Sequence, residues 1–187
     1  AVADMKSTVN SPAFRMAFCA VVTALEVVLM MITGLVPVGT YAFPCFAGVL
    51  TLAIVIEFGW KWALGVFAAA SLLSALLSSD KEAVLYFIAL FGYYPTLKNA
   101  IERKLKPKAL QYAVKLAVFN AAAVASFYIA TMLLSVKAEE FTIFGVYVPL
   151  VFLAIGNLFF LFYDFAITVY VAVYVKNLRD KLFGKLK

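Results

Sequence analysis

Residues 16–36 read MAFCAVVTALEVVLMMITGLV, twenty-one residues with a single charged side chain, Glu26, at their middle. A helix crosses the hydrocarbon core of a bilayer in about 20 apolar residues. This stretch is therefore a transmembrane span by length and composition. Runs of the same kind recur along the chain, giving expected spans at 16–36, 42–58, 60–79, 83–97, 109–136 and 146–175. Backbone amides in lipid must be paired within the protein, so the spans are read as helices. The expected fold is an all-α integral membrane protein, with six transmembrane helices in one bundle and residues 1–187 forming a single domain. The chain is 66% hydrophobic and 14% charged, where a soluble domain is about half apolar and a quarter charged.

The breaks between spans carry turn chemistry and charge. Pro37, Gly39 and Pro44 close the first span, and Glu57-Phe58-Gly59-Trp60-Lys61 is a very tight connection. Ser78–Glu82, Glu102–Lys108 and Lys137–Glu140 separate the later ones. On this threading fourteen of the sixteen Lys and Arg residues fall on one side, and only Lys81 and Lys137 fall on the other. Cytoplasmic loops are enriched in Lys and Arg, so both termini are expected in the cytoplasm. The fourth span is short, and Pro95 is expected to kink it into an interfacial helix over 96–103. Ala1–Arg15 reads as a polar lead-in rather than a signal peptide.

Several function classes recede on composition. The net charge of +6 sits in short loops beside spans, where it sets topology and meets anionic headgroups, so no nucleic-acid partner is expected. The chain has no phosphate loop, no dinucleotide-binding glycine pattern and no histidine. That removes the commonest general base and the commonest transition-metal ligand. No catalytic residue, no metal site and no cofactor are expected, and the chain is not read as an enzyme. Cys19 and Cys45 fall in or beside apolar segments and read as free thiols.

Four features can carry binding chemistry. Ala13, Ala17, Ala20 and Ala24 are spaced four, three and four apart, which places them on one narrow stripe of the first helix. Small-residue stripes let another helix approach closely, either within the bundle or from a partner subunit. Glu26 projects roughly opposite that stripe, towards the bundle interior. Asp164 is the second deep carboxylate, and the threading places no Lys or Arg at matching depth near either acid. Intramembrane carboxyls are functional-site hypotheses by default; the plain alternative is a hydrogen bond within the bundle. The uncharged segment 37–44 carries Tyr41 and Phe43 and suits a lid over an organic ligand, or a simple connector. Tyr86 shares a face of the fourth span with Tyr93, while Asn120 and Asn157 can supply orienting hydrogen bonds. The expected substrate site joins Glu26, Tyr41, Phe43, Tyr86, Asn120 and Asn157 in the outer half of the bundle.

With these residues in place, the chain resembles the substrate-binding S components of energy-coupling-factor (ECF) vitamin transporters. The resemblance spans the whole chain: about 190 residues, six helices and cytoplasmic ends. Ala20-Val21-Val22-Thr23-Ala24 matches the AxxxA motif of the family's first helix, and Ala13 and Ala17 extend it. The resemblance implies a transmembrane coupling subunit that meets this alanine face and two cytoplasmic ATPase subunits that drive uptake. It implies capture of a small organic micronutrient at the outer side, in the plasma membrane of a prokaryote. Glu26 is not part of the general family pattern. A stand-alone proton-coupled or facilitative carrier, with Glu26 as proton site, and a membrane scaffold of cell-envelope assembly remain open on the same residues. Co-purification with ATPase subunits separates the first reading from both.

Overall fold

The computed structural model describes residues 11–36, 39–133, 142–143, 146–147 and 149–178. Helix α1, Pro12–Ile32, starts where its sequence asks it to. Ser11 caps it by accepting a hydrogen bond from Phe14 N at 3.2 Å, and Pro12 occupies the first turn, where its missing N–H costs nothing. A 3₁₀ turn, Thr33–Leu35, extends it. Helix α2 is Gly39–Glu57 and α3 is Trp60–Leu77. Gly59 joins them at φ +88°, a conformation that glycine adopts without strain, and this makes the tight reversal feasible. Helix α4, Lys81–Tyr86, runs into a π turn, Phe87–Phe91, and α5 is Tyr94–Lys104. Helix α6, Lys108–Leu133, precedes a small hairpin of β1, Thr142–Ile143, and β2, Val146–Tyr147, in antiparallel register Thr142↔Tyr147. Helix α7, Pro149–Val173, ends in a π turn, Tyr174–Leu178.

Five of these helices, α1, α2, α3, α6 and α7, are long and apolar enough to cross a membrane. Half of the α2 span is buried inside the chain, against 22% for α3, α6 and α7, so α2 is the central helix. The outward faces are apolar: Leu76 is 71% exposed, Met132 76%, Phe159 69% and Phe165 67%. In water each such side chain would forgo roughly 1.5–3 kcal/mol of burial. In lipid the same surface is already solvated, and the interior is held by packing and polar contacts instead. Val27 and Met30 of α1 pack with Ala47, Ala70, Ala83, Val84 and Phe87. Leu52 of α2 packs with Tyr94, Phe119, Phe160, Tyr163 and Ile167. Gly48 lets α2 reach the π turn: a Cβ there would lie 2.5 Å from the Phe91 carbonyl oxygen and 2.7 Å from the Tyr163 hydroxyl.

Four expectations need correction. The fourth segment is not one short span, because the π turn and the break at Gly92-Tyr93 divide it into α4 and the eleven-residue α5. The described part of the expected 37–44 lid, Gly39–Pro44, is the opening of α2 rather than a loop. Pro44 is tolerated there because its missing N–H removes a single helix hydrogen bond, the one to the Thr40 carbonyl, close to the terminus. The last span starts at Pro149 and not at 146, since the β-branched and aromatic pairs 142–143 and 146–147 favour a hairpin. The first helix begins at Pro12, four residues before the expected start. The expectations for Lys6, Pro37, Val38, Lys137, Glu139, Glu140 and the basic C-terminus lie outside the described residues.

Candidate functional site

The two ends of α2 carry different chemistry. At its start, Thr40 Oγ1 donates to Asp80 Oδ2 at 2.8 Å, and Asp80 Oδ1 caps α4 by accepting from Ala83 N at 2.9 Å. Lys81 Nζ donates to the carbonyls of Ala75 and Ser78 at the end of α3, and Ser78 Oγ donates to Met30 O at 2.8 Å. These bonds tie four helices together at one end of the bundle. Here Tyr41 and Tyr86 stack with centroids 5.4 Å apart, and the Tyr86 hydroxyl donates to Glu82 Oε1 at 2.5 Å. Phe43 is half-buried beside Gly39. Tyr93 does not join this face. The π turn rotates it away to contact Phe67.

Glu26 is fully buried and points inward, as its angular position on α1 requires. Thr51 Oγ1, also fully buried, donates to Glu26 Oε1 at 2.7 Å. Glu26 Oε2 has no hydrogen-bond partner among the described residues. Asn120 and Asn157 face each other across α6 and α7, and each side-chain amide donates to the other's oxygen at 2.8 Å. Their second N–H groups return to the carbonyls of Leu116 and Leu153. The two asparagines thus form a closed helix–helix clamp. The six expected substrate residues therefore fall into separate groupings: Tyr41 with Tyr86, Asn120 with Asn157, Glu26 with Thr51, and Phe43 beside Gly39.

Asp164 overturns the expectation that no cation lies at its depth. Its carboxylate accepts from Lys98 Nζ at 2.7 Å, Lys115 Nζ at 3.0 Å and the Tyr94 hydroxyl at 2.5 Å. Lys98 and Lys115 also reach Glu102 Oε1, at 2.7 and 2.6 Å. Lys98, Lys115 and Asp164 are 5%, 2% and 2% exposed, so this is a buried cluster with two cations matched to two carboxylates. Burial pushes the Glu102 carboxyl up, but hydrogen bonds from Lys115 and Lys98 outweigh it and hold the group below the ordinary carboxylate range. The sequence carried a signal for this cluster. Lys115 stands in the apolar run Ala113-Val114-Lys115-Leu116-Ala117-Val118-Phe119, where a lysine requires an acid.

The alanine stripe faces outward. Ala13, Ala17, Ala20 and Ala24 are all exposed. A groove of about 390 Å³ runs beside it between α1 and α3, lined by Ala20, Thr23, Trp62, Gly65 and Ala69 among others. Gly65 and Ala69 form a second pair of small residues four apart, and a Cβ at Gly65 would meet open space. The stripe on the first helix does not by itself reveal this second pair; the signal was the same small-residue spacing on the third span.

Comparison with known proteins gives no match to any family model, curated protein or solved structure. The class comes from the chain itself: a multi-pass α-helical membrane protein with an apolar exterior, a buried ion cluster at one end and an open small-residue groove on one side.

Proposed function

We propose that the chain is a membrane-embedded substrate-binding subunit of the ECF S-component type, which captures a small organic micronutrient for ATP-driven uptake. The observation that carries this reading is the open small-residue face. Four alanines lie exposed on α1, and one of them, Ala20, lines a groove whose far wall is Gly65 and Ala69 of α3. Such paired faces admit a helix backbone at close range. Among the described residues nothing fills the groove, which favours an external helix, here the transmembrane coupling subunit, over internal packing. In this reading the chain crosses the membrane six times, with α4, the π turn and the start of α5 as the broken fourth crossing and the rest of α5 at the interface. Both termini lie in the cytoplasm of a prokaryote, and two ATPase subunits act from that side.

Substrate would enter at the Tyr41–Tyr86 end, opposite the lysine-rich end. Stacked rings and Phe43 offer flat apolar surface there, and Glu26 lies deeper in the interior. The Asn120–Asn157 clamp would orient substrate only by exchanging its own hydrogen bonds. A second reading, a stand-alone proton-coupled carrier, is favoured by one observation: the unpartnered Oε2 of Glu26 in the interior. The test is the double variant Ala20→Leu/Ala24→Leu. It should fold and bind ligand but fail to co-purify with a coupling subunit. Normal assembly and uptake by the variant would overturn the docking face, and uptake driven by a proton gradient without ATP would favour the second reading.

A further inference from the structure

A second cavity, of about 330 Å³, opens where α5, α6 and α7 meet beside the buried ion cluster. It is lined by Glu102, Lys108, Gln111, Tyr112, Lys115 and Thr168. We propose that it is a binding site for the phosphate group of an anionic phospholipid, with the lipid's acyl chains lying along α6 and α7.

The donors in the cavity suit a phosphate. Lys108 makes no ion pair or hydrogen bond among the described residues, and it stands at the cavity mouth. Gln111 Nε2 spends one N–H on the Leu105 carbonyl at 2.6 Å and retains another. Tyr112 lines the cavity, and its ring lies 5.3 Å from the Lys115 ammonium. Among the described residues Glu102 is the one carboxylate on the wall, and Lys98 and Lys115 both pair with it. Residues 98–115 carry six cations and one carboxylate; Glu102 and Asp164 match Lys98 and Lys115, which leaves Arg103, Lys104, Lys106 and Lys108 in excess in this stretch. The local field is therefore positive, and a phosphate is attracted to it.

Position and shape select a lipid over a free anion. The cavity lies in the first two turns of the span that runs from Lys108 to Met132, at the level where headgroups sit. Basic pockets between membrane helices bind anionic headgroups in this setting. Beside the donors the surface turns apolar: Leu110 is 46% exposed and Tyr112 47%, and Val169 and Val173 of α7 are exposed as well. A soluble phosphate has no use for that shoulder, whereas acyl chains bury it.

The test is calorimetric titration of the full chain in neutral detergent with dihexanoyl phosphatidylglycerol, dihexanoyl phosphatidylcholine and inorganic phosphate. Phosphatidylglycerol should bind saturably, phosphatidylcholine should not, and inorganic phosphate should bind at least about tenfold more weakly. Lys108→Glu, an exposed position, should weaken phosphatidylglycerol binding about tenfold or more while leaving the melting temperature unchanged. Lys61→Glu, outside this cavity, should leave binding unchanged. Equal binding of the two lipids, or wild-type affinity in Lys108→Glu, overturns the site. Inorganic phosphate binding as tightly as phosphatidylglycerol overturns the lipid assignment.

Discussion

Replacing Lys115 by Met tests whether the buried cluster is an integral part of the fold. Lys115 Nζ lies 2.6 Å from Glu102 Oε1 and 3.0 Å from Asp164 Oδ1, and the side chain is 2% exposed. Its removal leaves one cation, Lys98, against two carboxylates. Breaking a buried ion pair from one side costs about 3–5 kcal/mol. Asp164 keeps Lys98 and the Tyr94 hydroxyl, so the lower end applies, about 3 kcal/mol or roughly a hundredfold in the folded-to-unfolded ratio. Asp164→Leu alone strands the opposite charge and should cost a similar amount. The double variant Lys115→Met/Asp164→Leu leaves the matched pair Lys98–Glu102 at 2.7 Å but strands the buried Tyr94 hydroxyl, so it should cost about 1–3 kcal/mol, well below the sum of the two single costs. The assay is reversible unfolding in mixed micelles, with all four proteins in one double-mutant cycle. A Lys115→Met variant within about 0.5 kcal/mol of wild type, or single costs that simply add, would refute the reasoning.

Other consequences are more local. Asn120→Leu removes both reciprocal amide bonds and should cost about 0.6 to 1.7 kcal/mol in the same assay; an unchanged midpoint would show that the clamp contributes nothing. Gly48→Ala drives a methyl to 2.5 Å from the Phe91 carbonyl oxygen and should destabilise by about 1–3 kcal/mol, whereas Gly65→Ala meets open space and should be neutral. The Glu102 carboxyl is lowered in the folded state. Its contribution is therefore complete above its unfolded value of 4.5 and is lost as pH falls through the lower folded value. Melting temperatures from about pH 5 down to about pH 3 should fall less steeply in Glu102→Gln than in wild type, and parallel curves would remove this linkage. Reporter fusions at Lys137 and Lys187 should report opposite sides of the membrane, and a common side would contradict the six-crossing threading.

Much of the architecture was legible because hydropathy reports on lipid directly. The long spans, the tight turn at Gly59 and the inward direction of Glu26 all come from length, glycine and helical angle. The features that the sequence obscured have local causes. A π turn adds one residue to a helical turn and shifts the phase of the residues after it, so Tyr86 and Tyr93, seven residues apart, no longer share a face. Pro44 signalled a break, but near a helix start its missing N–H removes little. The positive-inside rule weighs charge by position along the chain, and so it treats Lys98 and Lys115 as surface charges. The apolar neighbours of Lys115 signal that it is buried, but its partner and the burial of Lys98 depend on α5 folding back against α6 and α7, a long-range contact that the local pattern does not specify. Asn120 and Asn157 look like open donors in the sequence for the same reason: each finds its partner 37 residues away, on another helix.

The central claim is tested most directly by isolating the tagged chain from its native membranes and weighing the intact assembly by native mass spectrometry. The account predicts one copy of this chain with a membrane coupling subunit, two ATPase subunits and a retained small organic molecule. It further predicts that Ala20→Leu/Ala24→Leu loses the partners and keeps the ligand. A chain that emerges alone and still moves its substrate into sealed vesicles without ATP would contradict it.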